Sequence, residues 1–267
     1  MSQAVRVVAL VLLLAGCAEG PGANMHEDPR RIVSLVPAAT EILLALGEGD
    51  RLVARTDYDL GPELAQLPSV GGGLHPSLER LVALDPDLVI RFEGDQDRAT
   101  PAALDRASIP HLGIRPDRIE DIRRIVREIA DAVGATERGE ALLHEMDDTL
   151  AEVREAARGR LQLRVAFLLG GDPPWAVGRG TFMHELLETA GGENALADLT
   201  RTYGPISVET ILAREVDLIL IPEGGRLPPA LGAVPVRRVP EIVRSPGVAV
   251  GEAARAIARI LDEEASR

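Results

Sequence analysis

The sequence contains no lysine, and all 29 of its basic residues are arginine. That absence excludes a phosphate-loop lysine and any Schiff-base lysine. There is one cysteine, Cys17, so no disulfide can form within the chain. Acids exceed bases to give a formal net charge of −13, which argues against nucleic acid as a partner. The longest early apolar run, Val7 to Ala15, is far shorter than the ~20 residues of a spanning helix. No GxSxG, HExxH, paired-cysteine or GxxxxGK motif occurs, and the five histidines lack a short ligand spacing, so neither catalysis nor a metal centre is expected. With 46% hydrophobic and 27% charged residues, the 267-residue chain has ordinary globular composition.

The first residues read as a targeting peptide. Arg6 supplies the positive region, Val7 to Ala15 the apolar region, and Leu14-Ala15-Gly16-Cys17 a small-residue cleavage site. The tetrapeptide resembles the lipobox of bacterial lipoproteins, which implies cleavage after residue 16 and lipidation of Cys17. Residues 17–29, rich in small and polar types with Gly and Pro, read as a flexible tether. The chain is therefore expected to be exported and held to a membrane by its lipid.

The folded body repeats itself. Ser77-Leu-Glu-Arg-Leu-Val-Ala-Leu-Asp-Pro-Asp-Leu-Val-Ile90 overlays Ser207-Val-Glu-Thr-Ile-Leu-Ala-Arg-Glu-Val-Asp-Leu-Ile-Leu220 at a constant offset of 130. Each copy reads as a serine N-cap, a short amphipathic helix, an acidic break and a buried strand. A second correspondence relates strand Ile32–Val36, helix Glu41–Leu46 and Gly47 to strand Val165–Leu169, helix Glu185–Ala190 and Gly191, with an extra loop Gly170 to Phe182 in the later copy. Apolar strands of this kind predict parallel sheets covered on both faces, and each glycine suits a helix C′ position. Between the copies, Leu142, Met146, Leu150, Val153 and Ala157 share one face of a helix over Glu137 to Ala157, long enough to span two lobes. Helices over Ile119–Val133 and Arg255–Glu264 are expected to close the first and second lobes. The division is 30–135 for the first α/β lobe, 136–158 for the linking helix and 159–267 for the second.

Scarcity makes the aromatic residues informative: there are one Trp, two Tyr and three Phe. Phe167 within a strand and Phe182 at a helix start read as packing. Tyr58, Phe92, Trp175 and Tyr203 fall in predicted loops, two from each half, and three of them follow a strand. Because ligands of parallel α/β sheets lie at the carboxyl ends of strands, these four are candidates to wall an interlobe cleft with ring faces. Glu79 and Glu209 stand in the first turns of the repeated helices, where the dipole favours a carboxylate in any case. Their equivalence also puts one acid on each lobe, suited to a two-fold partner carrying arginines.

Arg31-Ile-Val-Ser-Leu-Val-Pro-Ala-Ala-Thr-Glu-Ile42, the segment Ser77 to Ile90, Gly191-Gly-Glu-Asn194 and Ser207-Val-Glu209, in this order, make the chain similar to class III periplasmic binding proteins. The branch in question includes cobalamin, haem and ferric-siderophore receptors. The resemblance implies two Rossmann-like lobes joined by a single long backbone helix, a monomer with its ligand cleft between the lobes. It also implies a non-enzymatic receptor, needing no cofactor, that delivers its ligand to the permease dimer of an ABC importer. Glu79 and Glu209 match the acids that dock on permease arginines. Cobalamin receptors are nearest in pattern, with Tyr58, Phe92, Trp175 and Tyr203 falling at corrin contacts. Two departures are the loop Gly71-Gly72-Gly73-Leu74-His75, where those receptors carry a tryptophan, and Pro240–Pro246, which lacks an aromatic. Haem with Tyr58, His75 or Tyr203 as iron ligand, or a ferric siderophore met by Arg91 or Arg179, are the alternatives. A lipid-anchored scaffold or sensor without a transport role is the other class.

Overall fold

The computed structural model describes residues 29–266. The proposed lipid site Cys17 and the tether at 18–28 lie outside the described residues. The chain forms two α/β lobes, each built on its own sheet.

In the first lobe the strands β1 (Ile32–Ser34), β2 (Leu52–Ala54), β3 (Leu88–Phe92) and β4 (His111–Ile114) lie parallel in the order β2-β1-β3-β4. Helices α1 (Pro37–Ala45), α2 (Leu78–Ala83), α3 (Ala99–Arg106) and α4 (Ile119–Ala132) connect and cover them. Helix α5 (Thr136–Ala156) follows. The second lobe contains β5 (Arg164–Gly171), β6 (Pro174–Val177), α6 (Phe182–Thr189), β7 (Glu193–Asn194), β8 (Tyr203–Pro205), α7 (Val208–Leu212), β9 (Leu218–Pro222), β10 (Val236–Val239) and α8 (Val250–Ala265). Its sheet order is β10-β9-β5-β6-β8, with β7 beside β5.

Strand periodicity sorts the core. Ile32, Leu88 and Ile90 of the first sheet, and Val165, Phe167, Leu218 and Leu220 of the second, all belong to one continuous buried cluster. The intervening Val33 and Val89 face a separate cluster on the outer side of the first lobe, and Ala166, Leu168 and Ile219 another on the outer side of the second. Side chains two apart share a face, so each sheet turns one face to a common interior and one to its own satellite core. Helices α4, α5 and α8 supply Ile122, Ile125, Ile129, Met146, Leu150, Ile257 and Leu261 to that interior. Helix α5 packs on α4 of the first lobe and on α6 and α8 of the second. Small residues allow the approach: a Cβ on Gly139 would meet Ala130 of α4 at 2.5 Å, and one on Gly251 of α8 would meet Thr149 at 2.7 Å.

The repeat extends to backbone detail. Asp85 and Glu215, 130 apart, both adopt φ of 44°. The carboxylates of Asp87 and Asp217 accept from the backbone N–H of Arg31 (2.9 Å) and Arg164 (2.7 Å), while their own N–H groups donate to the carbonyls of those arginines. Gly47 and Gly191 end their helices with φ of 83° and 89°, as left-handed C′ positions require.

The extra segment of the second copy is not a loop. It contains β6, antiparallel to β5 and to β8, so the second sheet is mixed where an all-parallel one is expected. Gly170 and Gly171, both at positive φ, turn the chain into this ribbon. Helix α1 also begins earlier than the apolar pattern indicates, because Pro37 suits the first helical turn.

Candidate functional site

Tyr58 is held by a buried turn just after β2. The carboxylate of Asp59 accepts from both the N–H and the hydroxyl of Thr56 at 2.7 Å, and the Tyr58 N–H donates to the Thr56 hydroxyl at 3.2 Å. Thr56 and Asp59 are buried, whereas Tyr58 is 68% exposed. The glycine loop lies against this turn. Gly73 sits so close to the chain just after β1 that a Cβ there would stand 2.1 Å from the carbonyl oxygen of Leu35, while one on Gly72 would only touch the Tyr58 ring at 3.8 Å.

Phe92 is the last residue of β3 rather than part of a loop. By strand alternation it continues the row Leu88, Ile90 and so faces the common interior side beyond the sheet's carboxyl end. Together Tyr58 and Phe92, with Leu35, Val36, Pro37 and Leu74, line an apolar hollow of about 260 Å³. The structure thus brings together the two candidate rings of the first lobe.

The other two sit on strands as well. Trp175 belongs to β6 and Tyr203 opens β8. In the antiparallel register Val177 faces Tyr203 and Trp175 faces Pro205, which places both rings on one face of the ribbon. Val177 is in the common interior and Tyr203 packs against it, whereas Trp175 stands 49% exposed further along the same face. Burial pushes the Tyr203 hydroxyl up to about 12; the Thr181 hydroxyl works in the opposite direction and the nearby Asp117 carboxylate adds to the rise. A phenol so disposed stays protonated at neutral pH.

The remaining alternatives separate on geometry. Arg91 alternates with Phe92 and therefore faces the opposite side of β3, where its guanidinium donates to His111 Nδ1 (3.2 Å) and to the Phe92 carbonyl oxygen (3.2 Å). It lines a different, polar hollow of about 650 Å³ with Arg98, Arg115 and Asp105. His75 and Arg179 are exposed. His184 is buried and satisfied, its ring 3.2 Å from the Asn194 amide.

The lobes meet beside this region through direct bonds. The Phe182 N–H donates to the Asp117 carbonyl oxygen at 2.6 Å, and the Glu185 carboxylate accepts from the Ile119 N–H at 2.7 Å and the Arg118 guanidinium at 2.7 Å. On another side, the Ser245 hydroxyl donates to the Glu41 carboxylate at 2.6 Å.

Glu79 and Glu209 are exposed in the first turns of α2 and α7. Ser77 and Ser207 cap these helices, accepting from the N–H of Arg80 at 3.5 Å and of Thr210 at 3.2 Å. The Glu209 carboxyl is held below its ordinary value by its own backbone N–H and then by the Ser207 hydroxyl.

Residues 32–263 match the model of the periplasmic binding protein family. The chain belongs to that family. It is thus the substrate-binding protein of an ABC importer, an exported solute receptor and not an enzyme. Among its relatives is a vitamin B12-binding protein of Pectobacterium atrosepticum, 28% identical over 199 residues, which cover 72% of this chain and 71% of the relative. An ABC transporter substrate-binding lipoprotein of Bacillus subtilis is 28% identical over 214 residues, 78% of this chain and 68% of the relative. Among solved structures, the apo form of a periplasmic haem-binding protein from a Roseiflexus species superposes with a TM-score of 0.77 at 28% identity, over 88% of this chain and 99% of that one.

Sequence reasoning did not single out Leu35, Val36, Pro37 and Leu74 as lining residues. A signal was present, since Leu35, Val36 and Pro37 lie at and just beyond the carboxyl end of a parallel strand, where ligand crevices form.

Proposed function

We propose that this receptor carries a corrinoid, cobalamin or a precursor, in a cleft between its lobes, lipid-anchored through Cys17 and passing the ligand to a permease dimer on which Glu79 and Glu209 dock. The observation that carries the ligand assignment is the meeting of Tyr58 and Phe92 in one apolar hollow, with Trp175 exposed on the interior-facing side of the second lobe's ribbon. The hollow is smaller than the ~300–1,000 Å³ of complete small-ligand sites, so it takes one edge of a large flat ligand while Trp175 covers another part. Ring faces and few charges suit a corrinoid's broad apolar surface. The relationship to vitamin B12-binding proteins supports the same choice.

Haem is the second reading, favoured by the superposition on a haem-binding protein. In that case Tyr58, the exposed phenol at the mouth of the hollow, is the iron ligand, since the Tyr203 hydroxyl is buried.

Calorimetric titration of the purified protein with cyanocobalamin, haemin and a ferric siderophore decides between them. Trp175 is the only tryptophan, so quenching of its fluorescence reports ligand in the cleft independently. Heat and quenching with cyanocobalamin are expected; a response to haemin alone moves the assignment to haem, and a response to neither removes both.

A further inference from the structure

Six large apolar or aromatic side chains stand exposed among the described residues: Tyr58, Leu60, Val82, Leu161, Trp175 and Leu212. Tyr58 and Trp175 belong to the ligand site proposed above. Isolated exposed apolar residues are ordinary on protein surfaces, and Leu60 and Leu161 have no counterpart at the 130-residue offset. Val82 and Leu212 do: they are each other's equivalents, exposed to 40% and 46%. Each lies three residues after an exposed acid, Glu79 or Glu209, and three-apart side chains are neighbours on a helix surface. The buried neighbours Leu81 and Ile211, the serine caps and the shared φ of Asp85 and Glu215 fix both helices in the same attitude on their lobes. Either exposed apolar residue alone is commonplace; their duplication beside duplicated acids is not explained by packing, because neither serves its own lobe's core.

We infer that each lobe presents a matched acid-and-apolar pair, Glu79 with Val82 and Glu209 with Leu212, and that the importer's permease dimer receives each pair with a cation beside an apolar socket. The inference rests on the docking reading above and deepens it. A partner made of two like subunits offers the same receptor surface twice, which is what a duplicated pair requires. The acids steer the encounter over a distance set by salt, whereas the apolar side chains act only on contact and lengthen the residence time. The pairs are not equal: exposed Arg80 follows Glu79 and offsets its charge locally, while Thr210 follows Glu209.

The test uses the full chain and nanodiscs holding the permease and ATPase of its host importer, with empty nanodiscs of the same lipid alongside, and reads affinity by biolayer interferometry at low and high salt. Val82→Ser and Leu212→Ser are each expected to weaken binding about tenfold at either salt, because a hydroxyl in place of the branched side chain removes apolar surface that docking would bury. Glu79→Ala and Glu209→Ala are expected to weaken it and to flatten its salt dependence. Ligand affinity of all four should match the unaltered protein, as should the melting temperature of the serine variants, while the two alanine variants are expected to melt slightly lower because each loses a carboxylate favoured in the first turn of its helix. If the serine variants bind like the unaltered protein while the alanine variants do not, the apolar half is wrong and acid docking stands. If all four bind like the unaltered protein, docking on these helices is itself wrong. Equal binding to empty nanodiscs, or a self-association abolished by the serine changes, reassigns the apolar pair to lipid or to a second copy and overturns the inference.

Discussion

Each lobe contributes two of the four candidate rings, yet the lobes hold them in different ways. In the first lobe, Tyr58 projects from a turn and Phe92 from the last position of a strand, and neither is needed to close a core. In the second, Trp175 and Tyr203 ride on an antiparallel ribbon whose face runs from the common interior out to solvent. One ring of the ribbon, Tyr203, therefore packs on the core, and the other, Trp175, projects into solvent. A residue's exposure within its wall, more than its ring type, separates contributions to ligand affinity from contributions to stability.

The largest expected effect breaks the first wall from beneath. Gly73→Ala forces a Cβ toward the Leu35 carbonyl oxygen, so the loop must move; a loss of about 3 kcal/mol of stability and of most ligand affinity is expected by denaturant unfolding and calorimetry. Gly72→Ala is the control, since its Cβ makes only ordinary contact with Tyr58, and both quantities should stay near those of the unaltered protein.

Next comes the contrast between the tyrosines. Tyr203→Ala removes a ring packed on the interior and is expected to cost about 2–3 kcal/mol in unfolding free energy, against about 0.5 kcal/mol for the exposed Tyr58→Ala. Equal losses would abolish the distinction between the walls. The same comparison extends to ionisation: near-ultraviolet absorbance followed through alkaline titration should show one tyrosine that resists ionisation to about pH 12, and that component should vanish in Tyr203→Phe.

Trp175→Ala should leave the unfolding midpoint almost unchanged and weaken ligand binding about tenfold to a hundredfold, as for a ring at the centre of a contact. A large stability loss with unchanged affinity would show the ribbon's outer ring to be structural too.

The legible part of this molecule was whatever repeats. The 130-residue offset revealed the paired helix-to-strand units, and their serine caps and acidic breaks are present at the expected residues because local hydrogen bonding and backbone conformation are written in adjacent positions. Periodicity located α4 and α5 to within a residue or so. The β6 strand was hidden, since Asp172-Pro173-Pro174 reads as loop and four residues are too few for an alternating pattern to declare itself. The hollow was half visible: its aromatics stood out by rarity, while Leu35, Val36 and Leu74 look like any apolar residue until the tertiary fold turns them toward Tyr58. The parity that sends Phe92 inward and Arg91 outward depends on the strand reaching residue 92, two residues beyond the visible apolar run.

The smallest effect concerns how firmly the walls are held relative to each other. Glu41 of α1 accepts a hydrogen bond from Ser245 of the second lobe, and its carboxyl is raised above its ordinary value mainly by burial, with the Ser245 bond lowering it and the Asp59 charge raising it. A carboxyl raised in the folded state costs nothing while it is protonated in both states, below its unfolded value. As pH climbs, the unfolded chain ionises first, so the folded state loses ground until pH passes the raised value. Glu41→Gln keeps an oxygen to accept from Ser245 and removes a charge that is only partly hydrated. Its melting temperature should therefore equal or slightly exceed that of the unaltered protein at neutral pH, with the gap closing as pH falls through the carboxylate range. Glu41→Ala, which leaves the Ser245 hydroxyl to bond water instead, should melt below both, by no more than about 1 kcal/mol for one hydrogen bond. A Gln variant that melts as low as the Ala variant at neutral pH would mean the tie needs the ionised carboxylate, and that charge, rather than a neutral bond, holds the lobes at this point.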